Sequence, residues 1–290
     1  MNSITMKAYA KINLGLDVLR KREDGYHDVC MIMQTIDLYD TLTIKITEAD
    51  NIGVSTNLSF LPDDQRNLAY KAAALFSETL HKKEGLKITL EKKIPVAAGL
   101  AGGSADAAAT LIGLNKLFGA ELSQTELMKL GVKLGADVPY CVMKGTALSE
   151  GIGEVLTPIK PIPDCNILLV KPNISVSTKY VYENLRLDSQ VAHPDIPSML
   201  KAIDEGNLSG LTEKMDNILQ TVTVKDYPVI NRIKRKMIDL GAMTSLMSGS
   251  GPTVFGIYSD RSQAEKAYRY FMKTEYGKQV FLTKPYWPGT

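Results

Sequence analysis

The chain has 290 residues, which at about 150 residues per domain predicts two domains. Hydrophobic residues make up 44% and charged residues 23%, a composition typical of folded globular proteins that excludes a largely disordered chain. Lys and Arg number 34 against 32 for Asp and Glu, so bulk positive charge that would hold nucleic acid is excluded. Three cysteines without C-x-x-C spacing predict reduced thiols in a cytoplasmic protein. No apolar stretch of about 18 residues occurs, so we expect no membrane partner.

The predicted elements begin with an alternating strand. Every second residue from Ala8 to Val18 is apolar, while Lys11, Asn13 and Asp17 share the other face. The alternation predicts a half-buried strand in which Lys11 and Asn13 lie about 7 Å apart. Taken alone, Lys11 is better explained as an exposed lysine than as a functional one.

A polar turn follows, and it ends in Asp24-Gly-Tyr-His27. By themselves Tyr26 and His27 are explained by a capping aromatic ring and a surface histidine. Alternation then predicts strands at 42–46 and 86–90, and helical spacing predicts a helix from Leu68 to Thr79 between them.

A glycine-rich loop starts at Pro95 and leads into a strong helix. Ser104 is the predicted N-cap, Asp106 suits the first turn, and Gly119 ends the helix. Two interpretations of the loop remain open. Glycines before a helix N-terminus expose backbone N–H groups that bind phosphate, and small residues also let a loop pass close to a sheet.

The next segments begin with a capping box at Ser123 and Glu126. Gly135-Ala-Asp137-Val-Pro139 then starts a new element, and Asp137 alone is best explained as its N-cap. Three prolines at 158, 161 and 163 predict a domain junction, which divides the chain into domains 1–160 and 161–290.

The second half mixes strands and helices. Ser248 to Gly251 lies between two short strands, and it is either a hairpin turn or a second anion-binding nest. With no repeat and no regular βαβ alternation, the chain is predicted to be α+β. The pattern predicts a strand at 166–170 and helices at 198–204, 211–220, 230–240 and 261–276.

Five segments occur in a characteristic order: 10–14 (AKINL), 24–27 (DGYH), 95–106 (PVAAGLAGGSAD), 135–139 (GADVP) and 247–255 (MSGSGPTVF). Together they resemble the GHMP small-molecule kinase superfamily. The glycine loop marks the superfamily, and the first two segments narrow the resemblance to the branch that phosphorylates a cytidine-diphosphate polyol.

The resemblance implies a two-domain fold with the active site in the cleft between the domains. The N-terminal α+β domain would contain a left-handed βαβ unit, and the C-terminal domain would be ferredoxin-like. The implied reaction transfers the γ-phosphoryl group of ATP, with Mg²⁺, to the 2-hydroxyl of 4-diphosphocytidyl-2-C-methyl-D-erythritol in non-mevalonate isoprenoid biosynthesis. The implied partner is this small molecule, with no nucleic acid, and the protein would be a monomer or a homodimer.

The resemblance also implies residue roles. Asp137 would be the catalytic base and Lys11 its partner beside the transferred phosphoryl group. Asn13, Tyr26, His27 and Tyr182 would bind the substrate, with Tyr182 and Tyr26 enclosing the cytosine; phenylalanine also occurs at the position of Tyr182. Asn67 and Lys92 match positions that line the adenosine pocket. Ser104 would lie near the phosphates and Mg²⁺. The ATP loop would comprise Pro95, Val96, Ala97, Ala98, Gly99, Leu100, Ala101, Gly102, Gly103, Ser104 and Ala105, with Ala101 in place of a glycine common in the family.

Two other functions compete with this one. Another GHMP kinase, acting on homoserine, mevalonate or a sugar, would share the glycine loop but is not expected to have Tyr26 and His27. A non-catalytic RNA-binding module is the alternative from a different class, and the balanced charge argues against it.

Overall fold

The computed structural model describes residues 2–188, 191–275 and 279–288, and these form two compact units. The first unit takes Met1–Ala10, Leu38–Val96 and Ala101–Lys144, and the second takes Lys11–Asp37, Ala97–Leu100 and Gly145–Thr290. Two long strands, β1 (Ser3–Lys21) and β2 (His27–Thr47), contribute residues to both units. The units therefore do not follow one cut in the sequence, and a sequence boundary at residue 160 stays a prediction.

The first unit contains a βαβ unit. Strands β3 (Ile52–Thr56) and β4 (Gly85–Glu91) pair in parallel, and helix α1 (Leu68–Thr79) connects them. The second half of β2 pairs antiparallel with β4, with Ile44 opposite Ile88. The left-handed sense of the crossover stays a prediction.

Three further helices complete the first unit: α2 (Gly102–Leu117), α3 (Gln124–Val132) and α4 (Val138–Met143). Helix α2 packs directly on the sheet, because a Cβ added at Gly113 would lie 2.8 Å from Ile44 Cδ1. Phe76, Leu111 and Ile88 are completely buried in this core. The predicted capping box is confirmed, since Ser123 and Glu126 each accept a bond from the other's backbone N–H.

In the second unit, the first half of β2 pairs with β5 (Thr146–Glu150), which pairs with β6 (Val155–Pro158). A second, antiparallel sheet has the order β10-β7-β9-β8. Its strands are β7 (Asn166–Lys171), β8 (Thr244–Met247), β9 (Val254–Tyr258) and β10 (Gln279–Thr283).

The helices of the second unit lie between these strands in the sequence. Helices α5 to α9 separate β7 from β8, and α10 separates β9 from β10, which gives the βαββαβ order of a ferredoxin-like domain. The α+β fold class is thereby confirmed. The helices are α5 (Thr178–Asn184), α6 (Ile196–Asp204), α7 (Leu208–Lys214), α8 (Gln220–Asp226), α9 (Val229–Asp239) and α10 (Arg261–Phe271).

Two predicted helices differ in the structure. The prediction of one helix at 211–220 is wrong, because the segment is divided between two helices. Helix α7 ends at Lys214 and α8 begins at Gln220. The break has a polar cause, because Asn217 turns inward and its Oδ1 accepts from Leu219 N. The last helix ends at Phe271 and not at 276, and Tyr276 lies outside the described residues. Within the described part of the chain, no helix combines the length and hydropathy needed to cross a lipid bilayer.

Candidate active site

Strand β1 buries the two polar side chains that the alternation placed on an open face. Lys11 is 5% exposed and Asn13 is 1% exposed. Lys11 Nζ donates to Asn13 Oδ1 at 2.8 Å, so the two side chains form one polar pair. The half-buried prediction is wrong here, because this face of β1 is covered: a Cβ at Gly15 would lie 2.8 Å from Ile196 Cδ1 of α6, and Asn13 Nδ2 lies 3.4 Å from Met31 Sδ of β2.

The 24–27 segment forms a tight turn between β1 and β2. Gly25 adopts φ 86°, and Tyr26 N donates to Asp24 Oδ1 at 3.0 Å. Arg22 Nη1 donates to Asp28 Oδ1 at 3.0 Å and ties the strand ends together. The turn leaves Tyr26 59% exposed, so its ring is open to a ligand.

His27 lies against Tyr182 from α5, with ring centroids 5.2 Å apart and planes inclined at 42°. Burial, and to a lesser degree Lys21, lowers the pKa of His27. The imidazole is therefore neutral at pH 7, with one ring nitrogen that donates and one that accepts. The structure thus brings together two of the four predicted substrate residues, and enclosure of a base between Tyr26 and Tyr182 stays a prediction.

The glycine loop has left-handed backbone at alternate residues. Ala97 has φ 50°, Gly99 has φ 74° and Ala101 has φ 57°. A left-handed backbone costs alanine about 1–2 kcal/mol more than glycine, because glycine has no Cβ that would clash. The geometry explains why a glycine suits position 101.

Helix α2 begins at Gly102, and the prediction of Ser104 as its N-cap is wrong. The N-cap is Ala101, whose left-handed backbone starts the helix without any side-chain hydrogen bond. Ser104 therefore falls within the first turn, and Asp106 lies beyond it. A helix start that no side chain caps leaves first-turn N–H groups available to an anion.

The tip of the loop packs against the second small-residue loop. Ser248 Oγ donates to Gly99 O at 2.9 Å, and a Cβ at Gly99 would lie 2.1 Å from Ser248 O. Asn217 Nδ2 fixes that second loop by donating to Met247 O and Gly249 O, each at 2.8 Å. Because β8 and β9 pair on either side of it, the hairpin-turn interpretation of residues 248–251 is confirmed.

Lys92 lies at the other end of the loop, between two carboxylates. Its Nζ is 2.5 Å from Asp40 Oδ2 and 2.5 Å from Asp106 Oδ2. Burial alone would lower the pKa of Lys92, but the carboxylates of Asp106 and Asp40 outweigh it and raise that pKa. Burial raises the pKa of Asp106 to about 7, against the opposing effect of Lys92.

Asn67, the other predicted adenosine residue, is the N-cap of α1. Its Oδ1 accepts from Ala69 N at 2.9 Å and its Nδ2 donates to Pro62 O at 2.8 Å. Asn67 thus sets where α1 begins, and a contact with adenosine stays a prediction.

Asp137 occupies the N-cap position of α4, yet its side chain makes no capping hydrogen bond. Capping, which best explained this residue from sequence alone, is therefore not what the carboxylate does. Asp137 belongs to the first unit and Lys11 to the second, so their action on one phosphoryl group stays a prediction. Among the described residues, no group of three or more His, Cys, Asp or Glu could hold a metal ion.

Sequence analysis missed three polar residues that shape these sites. Asp40 lies on the buried face of β2 between Leu38 and Leu42, and this break in the apolar alternation is the signal that could have found it. Asn217 lies inside a predicted helix. His193 belongs to no motif in the sequence, yet its Nδ1 lies 2.7 Å from Oδ1 of the buried Asp17 on β1. Asp17 lies on the same face of β1 as Lys11 and Asn13, and all three side chains are buried. A carboxylate at this position therefore indicates a polar partner inside the protein.

The chain matches the two family models of the GHMP kinases. The family model for the N-terminal domain of GHMP kinases matches residues 67–145, and the model for their C-terminal domain matches residues 199–278. A 4-diphosphocytidyl-2-C-methyl-D-erythritol kinase of Lachnoclostridium phytofermentans is 56% identical over 98% of this chain and 98% of its own length. The chain belongs to the 4-diphosphocytidyl-2-C-methyl-D-erythritol kinase family.

Other members of this kinase family are similar over their whole length. The enzyme of Lachnospira eligens is 48% identical over 99% of this chain and 100% of its own. A crystal structure of a 4-(cytidine 5'-diphospho)-2C-methyl-D-erythritol kinase has a TM-score of 0.82 at 31% identity, and covers 97% of this chain and 99% of its own. A homoserine kinase from Cytophaga hutchinsonii has a TM-score of 0.80 at 20% identity, over 98% of this chain and 95% of its own, and shares the fold.

The contact of Gly99 with Ser248 makes a testable prediction. Gly99→Ala places a Cβ against a backbone carbonyl and also forces alanine into φ 74°, so we expect a loss of about 2–4 kcal/mol in the free energy of unfolding. Gly119→Ala is the matched control, since Gly119 has φ 57° and open space around it, and it should cost about 1 kcal/mol. Urea unfolding measures both. Equal losses would show that Gly99 is not closely packed.

Proposed function

We propose that this chain is an ATP-dependent kinase that phosphorylates the 2-hydroxyl of 4-diphosphocytidyl-2-C-methyl-D-erythritol in non-mevalonate isoprenoid biosynthesis. The observation that carries the proposal is the 56% identity, over nearly the full length of both chains, to the Lachnoclostridium phytofermentans kinase named for this substrate. The buried pair of Lys11 and Asn13 and the uncapped start of α2 support it.

The loop from Pro95 to Ala105 is proposed to hold the phosphates of ATP. Backbone N–H groups at a helix start bind anions through their hydrogen bonds and through the positive end of the helix dipole. Asn67 and Lys92 are proposed on the adenosine side. Mg²⁺ binds chiefly through phosphate oxygens and water, so one protein oxygen, proposed to be the Ser104 hydroxyl, is enough.

The substrate alcohol is tertiary, and its pKa lies far above 7. Asp137 is proposed to accept its proton as the new P–O bond forms, while Lys11 balances the charge on the transferred phosphoryl oxygens. Phosphoryl transfer depends mainly on positioning and charge stabilisation, which suits a lysine that a strand holds rigidly. Asn13 is proposed to position both Lys11 and the substrate.

The cytidine end is proposed to bind at Tyr26, His27 and Tyr182. Aromatic faces stack on any pyrimidine, so they contribute affinity without selectivity. Polar groups around His27 are proposed to match the donor and acceptors on the cytosine edge. A uracil there would leave buried groups unpaired, at about 1–3 kcal/mol each.

An ATP-consumption assay over a panel of acceptors tests the proposed function. We expect turnover with the diphosphocytidyl substrate, at least about tenfold less with its uridine analogue, and none with free methylerythritol, homoserine or mevalonate. Tyr26→Ala should weaken binding of both nucleotides, and His27→Ala should narrow the difference between them. Equal use of the two analogues, or efficient use of the free polyol, would overturn the substrate assignment. Salt-sensitive retention of RNA without any turnover would favour the binding module instead.

Asp137→Asn tests the base. The change replaces the proposed proton acceptor with an amide of nearly the same shape, so we expect kcat to fall by about 10²–10⁴ in a protein that still folds. Asp260→Asn is the matched control, because Asp260 caps α10 through Gln263 N at 2.7 Å and asparagine caps equally well. A folded Asp137→Asn protein with near-normal turnover would show that Asp137 is not the base.

A further inference from the structure

Three buried ionisable side chains meet beside the glycine loop, and two of them have no role in the proposed reaction. Asp40 is fully buried, Asp106 is 4% exposed, and Lys92 lies between their carboxylates. Burial of a charge is costly unless partners compensate it, so this arrangement is specific. We call these three residues the loop anchor.

The hydrogen bonds of the loop anchor connect the segment before the glycine loop to the helix after it. Asp40 Oδ1 accepts from Lys93 N at 2.5 Å and from Ile94 N at 2.8 Å, which fixes the chain as it leaves β4. Lys92 then reaches Asp106, one turn inside α2. The end of β4 and the start of α2 are thus held to one ammonium group.

The first residue of α2 also touches this group. A Cβ added at Gly102 would lie 3.1 Å from Ile94 Cγ2 and 3.5 Å from Lys92 Nζ. The loop anchor therefore sets the position of the helix start whose N–H groups are proposed to bind phosphate.

The loop anchor differs from a simple salt bridge between one acid and one base. Two carboxylates share one ammonium group, and Oδ1 of Asp106 is buried without a hydrogen-bond partner. Four alanines at positions 105 and 107–109 flank Asp106 in α2, and a fifth alanine would leave no buried oxygen without a partner. The carboxylate is therefore retained at a cost in stability.

We propose that Asp40 and Asp106 are positioning residues for ATP, which act through Lys92 to hold the glycine loop in its nucleotide-receiving conformation before ATP binds. Neither touches the nucleotide. The proposal rests on the proposed kinase function. If the loop adopts this conformation in only a fraction of the molecules, the apparent Kd for ATP rises by the inverse of that fraction. Loss of either carboxylate should therefore weaken ATP binding.

Asp106→Ala separates this role from general stability. It detaches α2 from Lys92, yet it leaves the balanced pair of Lys92 and Asp40, and alanine suits the helix. We expect KM for ATP to rise about tenfold, with kcat and KM for the alcohol substrate within about twofold of wild type. Asp106→Asn keeps an acceptor for Lys92 and should recover part of the affinity. If the alanine variant does not fold, KM for ATP is measured in Asp106→Asn instead, and a rise smaller than about tenfold is expected.

Thr110→Val is the matched control. Thr110 is buried in the same helix and its Oγ1 donates to Asp106 O at 2.8 Å, so the change removes a buried bond without touching Lys92. It should lower stability and leave KM for ATP unchanged. An equal rise in both variants, an unchanged KM in Asp106→Ala, or a fall in kcat alone would overturn the proposal.

Hydrogen–deuterium exchange without nucleotide gives a readout that does not depend on activity. Asp106→Ala should speed exchange at amides of residues 93–104 and leave those of the second sheet as in wild type. Unchanged exchange in this segment would overturn the loop anchor even if the chain proves not to use ATP. Absence of ATP turnover in the wild type, with faster exchange in the variant, would overturn only the kinase function.

Discussion

A buried ammonium group must be given partners inside the protein, and this requirement shapes the region around both β1 and the glycine loop. Lys92 is held by two carboxylates, and Lys11 donates to the amide oxygen of Asn13. Each arrangement brings further polar residues into the core at positions that a simple apolar pattern would not allow. Burial of these polar groups lowers stability, and it occurs at the glycine loop and β1, which supply the proposed active-site residues.

The loop is fixed separately at its tip and at its flanks. At the tip, Gly99 lies so close to Ser248 that no side chain fits. At the flanks, the loop anchor joins the end of β4 to α2. Left-handed backbone at Ala97 and Ala101 further restricts the conformations of the loop. A shape that is fixed in advance reduces the entropy lost when a ligand binds.

Local patterns predicted the elements well. The helix from Leu68 to Thr79 and the capping box at Ser123 match the structure, because helical spacing and caps are decided by neighbours in the sequence. The start of α2 was misplaced since serine is a good N-cap in general, while here Ala101 begins the helix through its backbone alone.

The candidate site was less accessible from sequence, since its features depend on distant residues. Alternation gave the face of Lys11 and Asn13 correctly but not its burial, which depends on residues that are distant in the sequence, such as Met31 beside Asn13 and Ile196 beside Gly15. Asp40 interrupts the apolar face of β2, but its partners Lys92 and Asp106 lie far along the chain and the sequence does not show them. Asp137 shows the opposite case: the sequence favoured a cap, and in the structure the residue holds the N-cap position without a capping bond from its side chain.

The central claim is that the buried lysine of β1 serves phosphoryl transfer and is not there for the fold. The most direct measurement is steady-state kinetics of Lys11→Met beside Lys7→Met, because Lys7 lies on the same strand but is exposed. The account predicts that Lys11→Met lowers kcat by about 10²-fold or more, while Lys7→Met changes little, since loss of one stabilising donor acts on the transition state. Weaker binding of the cytidine substrate with unchanged kcat would contradict it and place Lys11 in the substrate pocket.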